Sequence, residues 1–254
     1  MKRTVVKGAQ ITYSRSGKGT PLVLIHGYPL DSSTWDKVVP LLEDSFDVIV
    51  PDLRGFGGSS SDTENYGMAE FAADLARLLD ELGIDEAVLA GHSMGGYVAL
   101  AFARDYPARV RGLGLVSTQA AADTPERKEG RYQSAEEVMK NGVGSVAESM
   151  PPKFSVDPGM QSFVHDVIGR QAPAGVAAAL RAMAERPDST ELLKTFEMPV
   201  VIVHGEADAL IPIDRGREVQ DIVMQARMFP LKDVGHLPMM EAPEETANAL
   251  KHLA

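Results

Sequence analysis

The chain has 254 residues, with 25 Lys and Arg against 36 Asp and Glu, giving a formal net charge of −11. That length buries a core readily, and an apolar fraction of 44% is ordinary for a globular protein. The acidic balance argues against a phosphate-backbone binder, which needs surplus cations. The absence of Cys removes disulfides, thiolate metal sites and a thiol nucleophile.

In chain order, residues 4–10 and 11–14 predict a hairpin ahead of Gly17-Lys18-Gly19. Short apolar runs follow at 22–25, 48–50, 87–90, 113–116, 200–203 and 226–230. Most are rich in Val, Ile and Leu without polar alternation, which predicts strands buried on both faces. Residues 68–82 place Phe71, Leu75, Leu78, Leu79 and Leu82 at helical steps, and Gly83 ends the pattern. Strand–helix alternation of this kind predicts an α/β fold with a mostly parallel sheet. Residues 119–189 break the rhythm. They hold no convincing strand and read as short helices at 125–140, 143–150, 160–169 and 174–185, punctuated by Pro151-Pro152 and Asp157-Pro158-Gly159. The expected organisation is a core of residues 1–118 and 190–254 with a helical insertion, 119–189, over the sheet. Met1-Lys2-Arg3 is not followed by a signal-peptide core, and the longest apolar run, 97–103, is far short of a membrane span. A cytoplasmic chain without membrane or nucleic-acid partners is the expectation.

The chemistry centres on Gly91-His92-Ser93-Met94-Gly95-Gly96, which fits G-x-S-x-G between the predicted strand 87–90 and a predicted helix 97–105. A tight strand–helix elbow lifts the Ser side chain above the sheet edge. The helix start then offers free N–H groups where negative charge would develop. A Ser nucleophile needs a base, and the base an orienting acid. Of six His, His26 belongs to an early loop, His92 flanks Ser93, His165 lies in the insertion, His204 ends a strand and His252 is near the terminus. His236, in a loop after the strand 226–230, is the best base. Asp208, in the loop after 200–203, is the preferred acid, ahead of Glu206, Asp214 (read as a helix N-cap) and Asp233. Asp123 ranks second. The oxyanion donors would be the N–H of Met94 and, from His26-Gly27-Tyr28-Pro29, the N–H of Tyr28.

These segments, with Asp52-Leu53-Arg54-Gly55-Phe56-Gly57-Gly58-Ser59 and Gly205-Glu206-Ala207-Asp208, resemble the α/β-hydrolase superfamily. The resemblance is greatest to its small esterases, enol-lactonases and cofactor-free haloperoxidase-like enzymes, and covers nearly all the chain outside the insertion. It implies an eight-stranded sheet whose second strand is antiparallel, with a helical cap after the sixth strand. It also implies Ser93 as nucleophile, Asp208 as acid, His236 as base, Tyr28 and Met94 as oxyanion donors, and no cofactor or metal. Ser93 excludes the Asp nucleophile of haloalkane dehalogenases. Enol-lactonases often carry a cap Trp, whereas Trp35, the single Trp, lies outside the insertion.

The insertion and nearby loops should supply the substrate pocket, with Met139, Met150, Phe154, Phe163, Leu210 and Leu237 as candidate lining. The insertion's cations, Arg127, Lys128, Arg131, Lys153, Arg170 and Arg181, read as solvated surface, with a contact to a substrate carboxylate as the alternative. The expected activity is hydrolysis of small, mostly apolar carboxylic esters. Lactone opening, C–C bond hydrolysis and perhydrolysis use the same residues, and a non-catalytic ligand receptor is the reading from another class.

Overall fold

The apolar runs become the centre of one sheet in the computed structural model, which describes residues 1–6, 9–61 and 66–254. The strands are β1 (Lys2–Val6), β2 (Ala9–Gly17), β3 (Thr20–Ile25), β4 (Phe46–Pro51), β5 (Ser60–Ser61), β6 (Ala87–His92), β7 (Val110–Val116), β8 (Val200–Gly205) and β9 (Arg227–Leu231). Eight run in the order β1-β2-β4-β3-β6-β7-β8-β9, and the two-residue β5 pairs with β2. β2 is antiparallel to both neighbours, β1 and β4. The pairs from β4 through β9 are parallel. Every residue of β6 and β8 is buried, as expected of strands covered on both faces.

The helices are α1 (Val39–Leu42), α2 (Met68–Glu81), α3 (Met94–Asp105), α4 (Pro125–Asn141), α5 (Gly144–Ser149), α6 (Pro151–Phe154), α7 (Pro158–Gly169), α8 (Pro173–Ala184), α9 (Thr190–Leu193), α10 (Asp214–Ile222), α11 (Pro238–Glu241) and α12 (Pro243–Leu250). Six of them, α4 to α9, lie between β7 and β8, where no strand occurs among the described residues. None of the helices described is long and apolar enough to cross a membrane.

The parallel register fixes where the loops emerge. Ile25 pairs with Gly91, Gly91 with Leu115, Leu115 with Ile202, and Ile202 with Met228. The loops after β3, β6, β7, β8 and β9 therefore leave from one edge of the sheet.

Three local readings change. The hairpin does not break between Gln10 and Ile11: β2 runs on from Ala9, with Thr4 opposite Ile11. Burial of Ala9, Ile11 and Tyr13 holds that register, and the connection at 7–8 lies outside the described residues. Pro151-Pro152 begins α6 rather than breaking a helix, because the first N–H groups of a helix need no partner. Asp214 is the first helical residue of α10, not its N-cap, and pairs with Arg217.

The segment after β4 ties the early loops together. Asp52 accepts from the backbone N–H of Ser32 at 2.9 Å and of Gly58 at 2.8 Å. His26 Nε2 accepts from Leu53 N at 2.9 Å. Arg54 forms two 2.5 Å bonds to Asp74 on α2, both side chains being under 5% exposed. The insertion is pinned to the same place: Arg170 and Gln171, after α7, bond Asp31, and Gln171 Oε1 accepts from Gly57 N. A buried ion pair with one partner removed leaves an uncompensated charge. Asp74→Ala should therefore lower unfolding free energy by about 3–5 kcal/mol, measured by urea denaturation; a loss under about 1 kcal/mol would contradict the pairing.

Candidate active site

Ser93 joins β6 directly to α3, with no intervening loop. The helix begins three residues earlier than its apolar pattern suggested. Such a tight turn forces Ser93 to φ 52° and ψ −114°, a sparsely populated region for an L-residue. The turn closes only because position 91 has no side chain: a Cβ there would lie 2.2 Å from the Gly95 carbonyl oxygen. Ser93 N donates to Val116 O, and Ser93 O accepts from Gly96 N and Thr118 Oγ1.

Asp208 and His236 come from the loops after β8 and β9. Those loops can touch because position 205 is Gly; a Cβ there would meet Gly235 O at 2.1 Å. Asp208 Oδ1 accepts from Leu210 N and Ile211 N, both at 2.9 Å. Its Oδ2 lies 2.7 Å from His236 Nδ1. A carboxylate only accepts, so Nδ1 carries the proton and Nε2 presents a lone pair. Burial opposes ionisation of Asp208, but His236 and the two N–H donors hold its carboxyl below the usual carboxylate range. Ser93 and His236 line one cavity of about 420 Å³. They form no direct hydrogen bond, a contact often long until substrate binds.

Tyr28 lines the same cavity. Met94 opens α3, so its N–H has no carbonyl one turn earlier within the helix. Neither Tyr28 N nor Met94 N donates to a protein acceptor among the described residues.

Of the six pocket candidates, Met150 and Leu210 line the cavity. The other four do not. Met139 is 43% exposed. Phe163 packs against the core. Leu237 is fully buried. Phe154 is buried with its ring edge-on to His236, 5.3 Å between centroids. The apolar walls are instead Tyr97, Val146, Leu180, Met183 and Ile211. Asp123 is committed elsewhere: its buried carboxylate pairs with Arg127, Arg131 and Arg186, away from His236.

Other residues bear on the site without having been singled out. His92 Nε2 donates to His236 O at 2.7 Å. His236 N donates to Phe154 O at 2.8 Å, so the insertion holds His236. Glu241 accepts from Gly235 N and Leu237 N, and Ser155 Oγ donates to it. His204 Nε2 donates to Ile211 O and stands 3.5 Å from Asp208. None of this leaves a mark in a linear pattern. No group of three or more His, Asp and Glu is placed to hold a metal among the described residues.

His26, His92 and His204 are buried, and burial lowers the pKa of each from 6.5. The unfolded chain protonates them near that value while the folded chain does not. Their neutral burial thus contributes fully above pH 6.5, and stability falls as pH drops from there toward their folded values. Asp208 and Asp123, both depressed, lose their contribution only at lower pH. Unfolding free energy should fall between pH 6.5 and pH 5, by up to about 1.4 kcal/mol per pH unit per His, and Tm with it, and His92→Asn should flatten that slope. A Tm constant from pH 7 to pH 5 would refute the account.

A family model described as the alpha/beta hydrolase fold matches residues 20–144. Over 99% of this chain and 97% of the other, the structure superposes with TM-score 0.96 on a thermophilic esterase from Thermogutta terrifontis, solved with malate bound, at 39% identity. Lipase 3 of Moraxella sp. is 27% identical over 98% of this chain and 82% of its own. A non-heme chloroperoxidase of Kitasatospora aureofaciens is 28% identical over 96% and 95%. With a strand–turn–helix elbow at Ser93 on the edge of a sheet of this order, and a relative 39% identical over nearly its whole length, the chain belongs to the α/β-hydrolase family.

Proposed function

We propose that this hydrolase is a serine carboxylesterase. His236 Nε2 takes the proton of the Ser93 hydroxyl as Ser93 Oγ attacks the ester carbonyl. The N–H groups of Tyr28 and Met94 receive the oxyanion. Asp208 keeps the His236 proton on Nδ1 and stabilises the imidazolium. His236 returns the proton to the departing alcohol, and water then releases the acid by the same steps reversed. In this reading the core is residues 1–118 and 190–254, with 119–189 as the cap.

The observation that carries the reading is the 2.7 Å His236–Asp208 bond beside a cavity that Ser93 also lines. Its size suits small to medium acyl groups. Apolar walls of Val146, Met150, Leu180 and Met183 suit an aliphatic chain. The esterase and lipase among the relatives support ester chemistry. The chloroperoxidase relative keeps perhydrolysis as a second reading; a peroxide-dependent halogenation assay beside an ester panel separates the two.

Ser93→Ala should abolish p-nitrophenyl butyrate turnover and labelling by an active-site-directed phosphonate. Retained turnover, or a wild-type adduct on another residue, would remove Ser93 from the role. Asp208→Asn should lower kcat by about a thousandfold or more while the chain stays folded, since the base would lose its tautomer control. Wild-type kcat in that variant would remove Asp208.

A further inference from the structure

The charges around the cavity are one-sided. Arg127, Arg131 and Lys153 line it, and no Asp or Glu does, although the chain as a whole carries −11. The carboxylate nearest this wall by ion pairing is Asp123. Its side chain is fully buried and shared among Arg127 at 3.5 Å, Arg131, and Arg186 at 2.9 Å. Arg186 lies behind the wall, bonded to Met183 O and Ala121 O, so one shared carboxylate faces the two cavity guanidiniums and leaves at least one positive charge uncompensated. Lys153 adds a second, with no ion pair among the described residues.

Arg127 and Lys153 stand at the exposed rim of the cavity, and Arg131 lies deeper in its wall. Lys128 does not line it and pairs with Glu185 on the outside. Arg131 is only 13% exposed, with Nη1 against Met183 Sδ at 3.3 Å. It also acts on the buried Tyr28 hydroxyl, whose pKa burial pushes up and Arg131 pulls back. Each guanidinium brings five N–H donors, more than the two oxygens of Asp123 can occupy. Like charges gathered on a partly dry wall repel one another more strongly than in water. An anion entering the cavity relieves that repulsion and fills the free donors.

We propose that the natural substrate is an ester bearing a second, ionised carboxylate, such as a half-ester of a small dicarboxylic acid. Its free carboxylate faces Arg127, Arg131 and Lys153 while its ester carbonyl sits at Ser93. This rests on the carboxylesterase reading above. Hydrolysis breaks the acyl C–O bond. Water supplies the hydroxyl to the acyl carbon and the proton to the alcohol. The acid product then ionises to a dicarboxylate, which the same cations retain, so it should also act as an inhibitor.

The test compares monomethyl glutarate with methyl pentanoate, which share an acyl length and differ in one carboxylate, by acid release at constant pH. The wild-type kcat/KM ratio should favour the glutarate ester by about tenfold or more, as expected of a charge-assisted hydrogen bond. In Lys153→Gln with Arg127→Gln that ratio should fall by about tenfold. A folding defect lowers both rates and leaves the ratio unchanged. Salt should raise KM for the anionic ester alone, and glutarate should compete with methyl pentanoate. A wild-type ratio at or below one, or a ratio that the double variant does not move, overturns the proposal. If neither these esters nor p-nitrophenyl butyrate turns over, the esterase reading fails. Calorimetry with glutarate then decides the anion site, and absence of binding removes it.

Discussion

The backbone of Ser93 is the constraint on which the site rests. Its φ of 52° and ψ of −114° lie where an L-residue costs on the order of 1–3 kcal/mol. Such a conformation persists only when the surroundings over-determine it. Here β6 is hydrogen-bonded on both sides: Gly91 pairs with Ile25 of β3 and with Leu115 of β7. The Ser93 N–H is taken by Val116, and its carbonyl by Gly96 and Thr118. The chain enters from a buried strand and leaves into a buried helix, so it cannot relax without breaking one of them. The same geometry puts the Met94 N–H at the open start of α3. The position of Ser93 and the open start of α3 thus share one structural cause.

His236 is placed by a different device. Its ring is fixed by Asp208, its carbonyl by His92 on the elbow, and its N–H by the Phe154 carbonyl of the insertion. Glu241 straps the residues on either side. Moving α6 away would strand the His236 N–H, and an unmade buried hydrogen bond costs about 1–3 kcal/mol. The insertion is thereby tied to His236 at Phe154 and, through Arg170 and Gln171, to Asp31. Asp31 sits just after the Tyr28 loop, so both contacts of the insertion hold segments next to the cavity.

What the sequence made legible follows from which interactions are local. The strands from 22 to 203 could be read because burial on both faces leaves continuous apolar runs, whereas the edge strand β9 has no buried residue. The elbow could be read because a tight strand–helix turn demands small residues at fixed offsets. Asp208 and His236 could be ranked because parallel strands send their loops to one edge. The pocket lining resisted the same reading. Met139 and Phe163 sit in α4 and α7, but which face of an insertion helix meets the cavity depends on packing between helices, here α4 against α8 and α7 against α5 and α6. Asp123 looked available because its three arginine partners lie at separations of 4, 8 and 63 residues. Only the nearest of these is within one helical turn. Holding His236 through the Phe154 carbonyl uses a backbone atom, which no residue type reports.

The charge of the chain illustrates the limit of composition most sharply. A net −11 describes the field far from the surface, where salt screens it within about 8–10 Å. Inside a cavity the nearest groups decide. On α4, Arg127, Gly130, Arg131 and Ser134 follow one another at steps of three, one and three, which is one face of a helix. That face turns inward. On the same helix Glu129, Glu136 and Glu137 fall outside it and do not line the cavity. An acidic protein therefore presents a basic wall to the cavity that Ser93 lines, because helical phase brings Arg127 and Arg131 inward and leaves the acidic residues of α4, with Lys128 and Lys140, outside it.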